Sequence, residues 1–146
     1  MGDKVMDLPD SARTAAEAAQ ALDVNQGAIV KSLVFTVGTR YVLALVAGDH
    51  QCREDQLPRV FNLEGAVVKP SADLVRAVTG FSIGAVAPVG LISKLPVAID
   101  ASLKRFDKVY ASAGHTHCMF ATSVDELKKL TGGLVSYAVA APTSPS

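Results

Sequence analysis

Two neighbouring β-rich runs constrain the fold of this chain more than any other feature. Residues 28–36 and 40–47 are rich in Val, Leu and Ile, and they flank the short segment Val37-Gly38-Thr39. Strand-forming residues on both sides of a short loop that contains glycine predict a β-hairpin. The remaining elements must therefore pack around this hairpin.

Shorter elements are predicted on both sides of the hairpin. Thr14-Ala-Ala-Glu17 and Ser123-x-x-Glu126 are capping boxes, and Ser71 is a further N-cap, so each predicts the start of a helix. Helical spacing is also present at 53–61, and further strands are predicted at 66–69, 97–100, 108–112, 118–121 and 134–139. Strands and helices are mixed without regular alternation, which indicates an α+β or mixed α/β fold with a curved, barrel-like mixed sheet flanked by short helices.

The length and composition indicate one globular domain. The chain has 146 residues, of which 49% are hydrophobic and 19% charged, so we expect a single domain over 1–146 with loose ends at 1–10 and 141–146. Fourteen basic and fourteen acidic residues cancel, which disfavours a protein that binds nucleic acid over a broad basic surface. No stretch is apolar over the length of a membrane span and residues 1–10 lack the pattern typical of a leader, so we expect a cytoplasmic protein that does not bind membranes.

Lys31 is the first candidate functional residue. Period-2 alternation places it on the same strand face as Leu33 and Phe35, where its ammonium would be partly desolvated. It is either a lysine that protects an edge strand and extends to solvent, or a cation on the floor of a cleft that binds a phosphate or a carbonyl oxygen.

Two turns are further candidates. Gly84-Ala-Val-Ala-Pro88 lies in a glycine-rich apolar stretch, which is either an ordinary turn or a loop whose backbone approaches a ligand. The turn from Ser112 to Cys118 carries two imidazoles and a thiol, and His50 and Cys52 form a second such pair. Their spacing matches no zinc motif and no signature of a nucleophilic cysteine, so we expect no metal and no cofactor.

Three features in a fixed order carry a family resemblance. They are Thr14-Ala-Ala-Glu17 followed by Val30-Lys-Ser-Leu-Val34, then Gly84-x-x-x-Pro88, then Val109-Tyr-Ala-Ser-Ala-Gly114 before a capped helix. This order resembles the YbaK/prolyl-tRNA-synthetase-associated domain family over residues 11–140. The resemblance implies a YbaK-like fold and a trans-editing aminoacyl-tRNA deacylase, most commonly acting on tRNA for proline that carries a small non-cognate residue such as Cys or Ala.

The resemblance also implies roles for individual residues. Lys31 matches the essential lysine of the family, with Ser32 beside it. Gly84 and Pro88 match the loop around the aminoacyl group, and Ser112 and Gly114 match the turn near the scissile bond. His115 and His117 are equal rivals for a pocket histidine. The implied partners are the acceptor end of aminoacyl-tRNA and a prolyl-tRNA synthetase, whereas the oligomeric state stays open.

Two alternatives to the deacylase remain at this point, a metal hydrolase and a non-catalytic module. The chain could be a non-catalytic member of the family that binds an aminoacyl-adenosine-like ligand or a protein and has a regulatory role. Local contacts to tRNA could involve basic residues that are otherwise ordinary solvated surface, namely Arg53, Arg59, Lys94, Lys104, Arg105 and Lys108.

Overall fold

A computed structural model describes residues 5–8, 14–83, 85–88, 90–91, 94–114 and 118–143. The predicted hairpin is confirmed: β2 (Val30–Val37) and β3 (Arg40–Ala47) pair antiparallel along their whole length. Gly38 in the turn has φ 61°, a left-handed conformation that glycine adopts without strain. The hairpin is the centre of the largest sheet.

That sheet has five strands and mixed direction. Its order is β5-β2-β3-β6-β9, where the antiparallel hairpin continues into the parallel pairs β3–β6 and β6–β9. The added strands are β5 (Val67–Val68), β6 (Val97–Asp100) and β9 (Leu134–Ser136). This arrangement confirms the predicted mixed sheet.

Two smaller sheets flank the central one. The first contains β1 (Val5–Asp7), β8 (Cys118–Thr122) and β7 (Val109–Ser112) in antiparallel order, and a parallel bridge between Ile29 and Tyr110 joins it to the start of β2. The second pairs β4 (His50–Cys52) with β10 (Ala140–Pro142). Across the described residues these sheets surround the core without closing into one continuous barrel.

In the part of the chain that the structure describes, four short α-helices cover the sheets. They are α1 (Ala15–Leu22), α2 (Leu57–Phe61), α3 (Ala72–Thr79) and α4 (Val124–Thr131). The predicted N-caps are confirmed, because the hydroxyls of Thr14, Ser71 and Ser123 each accept a backbone N–H at the start of a helix. None of the helices in the described part of the chain is long and apolar enough to cross a membrane.

The hairpin is buried on both faces. Leu43 and Leu45 of β3 pack into one apolar cluster with α3, α4 and β6, whereas Val42 and Val46 face a second cluster that includes Leu57 of α2. A strand that is covered on both faces has an almost continuous apolar sequence, which explains the run over 41–47.

The structure corrects three expectations about the ends of the chain. Val5–Asp7 lies in a sheet although residues 1–10 were expected to be loose, and Ala140–Pro142 pairs with β4 although 141–146 were expected to be loose. The predicted strand 134–139 ends at Ser136, because the Ser136 hydroxyl accepts the Ala138 N–H and caps a 3-10 turn. The chain then leaves the central sheet to pair with β4.

Candidate active site

Lys31 lies near the start of β2 and is half-buried. Its Nζ donates a hydrogen bond to the backbone carbonyl of His50, at 2.5 Å. Burial lowers the pKa of Lys31, whereas the carboxylates of Asp100 and Asp49 oppose that change. An ammonium held in this way carries its charge into a partly desolvated place, where its interaction with an anion or a polarised oxygen is stronger than in water.

Ser112 lies on the strand next to Lys31. Just before β2 begins, Ile29 forms a parallel β-bridge with Tyr110 of β7. Lys31 lies two residues after Ile29, and Ser112 lies two residues after Tyr110. Because side chains two residues apart share a face, both point to the same side of this junction. The Ser112 hydroxyl accepts the N–H of Gly114 at 3.1 Å, which holds the start of the following turn.

Phe81 joins this turn to the glycine-rich loop. A β-carbon at Gly114 would lie 2.6 Å from Phe81 Cε1, and one at Gly90 would lie 3.9 Å from Phe81 Cζ. Gly114 and Gly90 have φ values of 96° and 76°. The ring therefore lies between the loop and the turn, and these two predicted regions are brought together.

A cavity of about 250 Å³ lies along the edge of β2 that is turned away from β3, and residues of both strand faces line it, Leu33 and Phe35 among them. Its lining includes Ser32, Val34, Val75, Ile83 and Val86. Lys31 is not among the lining residues. β2 has no strand partner on this edge, within the described residues, between the bridge at Ile29 and the pairing with β5 at Thr36.

The Ser32 hydroxyl is buried and has no hydrogen-bond partner among the described residues. Pro88 lies apart from it, in a second cavity of about 240 Å³ whose lining includes Leu91 and Leu130. Ile83 lines the first cavity and Pro88 lines the second, so one cavity lies near each end of the segment 83–88. Gly84, His115 and His117 themselves lie outside the described residues, so their roles remain predictions.

Three residues next to Lys31 were not singled out from the sequence as one group. The Asp49 carboxylate accepts hydrogen bonds from both terminal nitrogens of Arg105, at 3.0 and 2.8 Å. The same carboxylate lies 2.7 Å from Nδ1 of the buried His50. The hydrogen bonds from Arg105, above all, lower the pKa of Asp49 to about 2. These contacts join residues 56 positions apart, and no local pattern predicts them.

The surroundings of the two cysteines disfavour the thiolate form that a nucleophile needs. Burial raises the pKa of Cys52 to about 11. Cys118 donates through Sγ to an oxygen of Asp7, and this hydrogen bond raises its pKa. A thiol that is protonated at neutral pH is a poor nucleophile and metal ligand. Within the described ranges, no group of three or more His, Cys, Asp or Glu side chains could hold a metal ion.

Comparison with known proteins decides the family. A model of the aminoacyl-tRNA editing domain family matches residues 9–130. The chain belongs to this family. An editing domain is an ester hydrolase in its chemistry, so the predicted enzyme class, an aminoacyl-tRNA deacylase, is confirmed.

Individual relatives are consistent with an editing domain. The uncharacterised protein YwhH of Bacillus subtilis is 30% identical over 87% of this chain and 80% of its own length. A crystal structure described as a candidate trans-editing enzyme for prolyl tRNA synthetase is 39% identical, with a TM-score of 0.85 over 90% of this chain and 83% of the other.

Proline–tRNA ligases also contain a region similar to this editing domain. The ligase of Geobacillus kaustophilus is 35% identical over 60% of this chain. The match spans only 15% of the ligase, so it concerns one segment of a much larger enzyme. The predicted relation to prolyl-tRNA synthetase is confirmed at this level.

Proposed function

We propose that this editing domain acts in trans and hydrolyses the ester of tRNA for proline that carries a small non-cognate amino acid such as Cys or Ala. The observation that carries the proposal is the half-buried Lys31 ammonium, which the His50 carbonyl holds two residues after the bridge between Ile29 and Tyr110 of β7. The similarity to proline–tRNA ligases and to the candidate trans-editing enzyme supports the choice of tRNA.

In the proposed reaction a water molecule attacks the carbonyl carbon of the aminoacyl ester. The carbonyl oxygen becomes an oxyanion in the tetrahedral intermediate, and the bond from carbon to the ribose oxygen then breaks. The ribose oxygen takes up one proton of the water, the other proton is released to solvent, and the amino acid leaves as a carboxylate. Such a reaction needs orientation and stabilisation of charge more than a strong nucleophile.

Lys31 is the proposed catalytic residue. Its ammonium would bind the terminal phosphate or the developing oxyanion, and either contact is strengthened by partial burial. Ser112 and Gly114 would orient the ester from the neighbouring turn. The loop from Gly84 to Pro88 would enclose the aminoacyl group through its backbone, with His115 or His117 as a pocket residue.

Discrimination between amino acids would depend on the size of this enclosure. One methylene or thiol group changes binding by only about 1–3 kcal/mol in an apolar pocket. A site for Cys or Ala on tRNA for proline therefore has to exclude proline by shape. Phe81 is well placed to set that shape, because it contacts Gly114 and extends toward Gly90.

A deacylation assay with a panel of mischarged tRNAs tests the proposal. We expect the wild-type protein to release Cys or Ala from tRNA for proline and to leave prolyl-tRNA intact. Lys31→Ala should lower kcat/KM by about 100-fold or more, as the loss of one stabilising group does in comparable reactions. Lys129→Ala, an exposed lysine on α4, is the matched control.

The panel also distinguishes the alternative. A wild-type protein that is folded but inactive on every mischarged tRNA would overturn the proposed deacylation and favour a binding module. Addition of prolyl-tRNA synthetase to the assay tests the proposed partner: an increase in kcat/KM supports it, and an unchanged value contradicts it. We further propose that residues 1–146 act as one domain that contacts only the acceptor end.

A further inference from the structure

Arg105 holds the turn between β3 and β4 from outside the sheet. The guanidinium donates two hydrogen bonds to Asp49, and its Nε donates a third to the backbone carbonyl of Ser102 at 2.7 Å. A charge-assisted pair with two parallel hydrogen bonds fixes orientation as well as distance. The position of Asp49 is therefore fixed relative to the 3-10 segment Ala101–Arg105.

The packing around this ion pair is tight. A β-carbon at Gly27 would lie 2.7 Å from Arg105 Nη2 and 2.8 Å from Asp49 Oδ2. The turn is also held from the other side, where Gln26 Nε2 donates to the Gly48 carbonyl at 3.0 Å. Three segments of the chain meet here with little free space.

His50 connects this cluster to Lys31. Its ring contacts Asp49 through Nδ1, and its backbone carbonyl accepts the hydrogen bond from Lys31 Nζ. The ring is buried, so rotation of the His50 backbone would also have to move the side chain out of its packed position. The Asp49 contacts thus fix the direction of the carbonyl that holds the ammonium.

We propose that Arg105 and Asp49 are positioning residues, which hold the His50 carbonyl in place and thereby fix the Lys31 ammonium for the deacylation reaction. This inference rests on the proposed role of Lys31. Neither residue needs to touch the tRNA. Arg105 was considered from the sequence as a contact to RNA, and the inference gives it an internal role instead.

The experiment measures kcat, KM and the pKa of Lys31 in variants of the full chain. The NMR signal of Lys31 is followed in protein labelled with ¹³C-lysine. It is assigned as the signal that is missing from the spectrum of Lys31→Arg. We expect Arg105→Gln and Asp49→Asn to lower kcat roughly 10- to 100-fold, the size of effect that follows a displaced reacting group, with KM nearly unchanged. Arg105→Lys should restore part of kcat, because an ammonium can still donate to Asp49.

The pKa of Lys31 separates positioning from simple charge effects. Among the described residues, the acidic groups near the ammonium are Cys52, Asp100 and Asp49. If Arg105 acted only through its charge, Arg105→Gln would leave Asp49 unneutralised and raise the pKa of Lys31. By charge alone Asp49→Asn would have the opposite effect and lower the pKa of Lys31, whereas loss of the held His50 carbonyl loosens the same hydrogen bond in both variants and shifts the pKa in the same direction in both.

Opposite shifts of that pKa in Arg105→Gln and Asp49→Asn, or an unchanged kcat in Arg105→Gln, would overturn the proposal. Asp55→Asn is the matched control, since it removes the carboxylate of an exposed pair with Arg53 and should change neither kcat nor Lys31. The NMR readout does not depend on activity. A wild-type protein that is inactive on all mischarged tRNAs would therefore overturn the proposed function, whereas the NMR result would still decide whether Arg105 holds Lys31.

Discussion

The ring of Phe81 lies against the α-carbon of Gly114, so closely that a β-carbon on that glycine would be 2.6 Å from Phe81 Cε1. Phe81 follows α3 directly after the cap residue Gly80, and Gly114 follows β7. Two segments that are separate in sequence are thereby held in contact at the proposed site. Contact of this kind requires glycine, because any side chain would occupy the position of the ring.

Gly114→Ala should destabilise the protein by about 2–4 kcal/mol. The estimate combines the strain of a left-handed residue with the overpacking of an apolar site. Thermal or urea unfolding measures it. Gly90→Ala is a matched control near the same ring, because its φ is also positive but its β-carbon would lie 3.9 Å away, so only about 1–2 kcal/mol is expected.

A double variant checks the cause. In a Phe81→Leu background the cost of Gly114→Ala should fall to that of Gly90→Ala, since the smaller side chain removes the close contact. An equal cost of Gly114→Ala in both backgrounds would show that the ring is not responsible.

Deacylation should decline at alkaline pH as Lys31 loses its proton. Burial lowers the pKa of Lys31 below its ordinary value, so the charged form that would bind the phosphate or oxyanion is lost earlier than for an exposed lysine. The pH profile of kcat/KM, corrected for uncatalysed hydrolysis, measures this decline. Its midpoint should coincide with the Lys31 pKa from NMR, and a profile without such a decline would contradict the role of the ammonium.

Asp49 should contribute to stability above pH 4 and lose that contribution in acid. Its pKa is about 2 in the folded protein and about 3.9 in an unfolded chain. A lowered pKa means that the folded state prefers the charged carboxylate, so the contribution is complete above the unfolded value and declines as the pH falls toward 2. Because both side chains are partly exposed, the size is discounted to about 1 kcal/mol.

Unfolding free energies between pH 5 and pH 2.5 test this expectation. At pH 5 the wild-type protein should have a larger unfolding free energy than Asp49→Asn, and this difference should decrease as the pH falls to 2.5. If the difference between the two proteins stayed constant with pH, the carboxylate charge would not be its source.

Ser32→Ala separates stability from function at one position. The Ser32 hydroxyl is buried with no hydrogen-bond partner in the described part of the chain, so its removal should leave the unfolding free energy unchanged or raise it by up to about 1 kcal/mol. If the hydroxyl binds substrate, kcat/KM should fall roughly two- to tenfold, the value of one hydrogen bond. An unchanged kcat/KM in the deacylation assay would show that the Ser32 hydroxyl does not bind substrate.

Local features of the sequence predict much of the fold. The hydroxyls of Thr14, Ser71 and Ser123 act within three residues, so a capped helix can be recognised from a few neighbouring letters. The hairpin is also local, and period-2 alternation correctly places Lys31 on the face of Phe35. These elements depend on contacts that are close along the chain.

Pairings between distant segments are not predictable in this way. β1 and β10 contain three residues each, and their partners are β8 and β4. Strands this short have no periodic pattern, and only the finished core provides an edge for them to join. The contacts from Arg105 to Asp49 and from Lys31 to His50 have the same origin, since they exist only after the sheets have assembled.

The gap along the outer edge of β2 has a consequence for how such a protein can change. On the edge away from β3, this strand is held by one bridge at its beginning and by β5 at its end, so among the described residues no strand covers the segment between these points. Loops that cover this opening can therefore accumulate substitutions while the scaffold stays intact. New substrate preferences could arise in related genes without a new architecture.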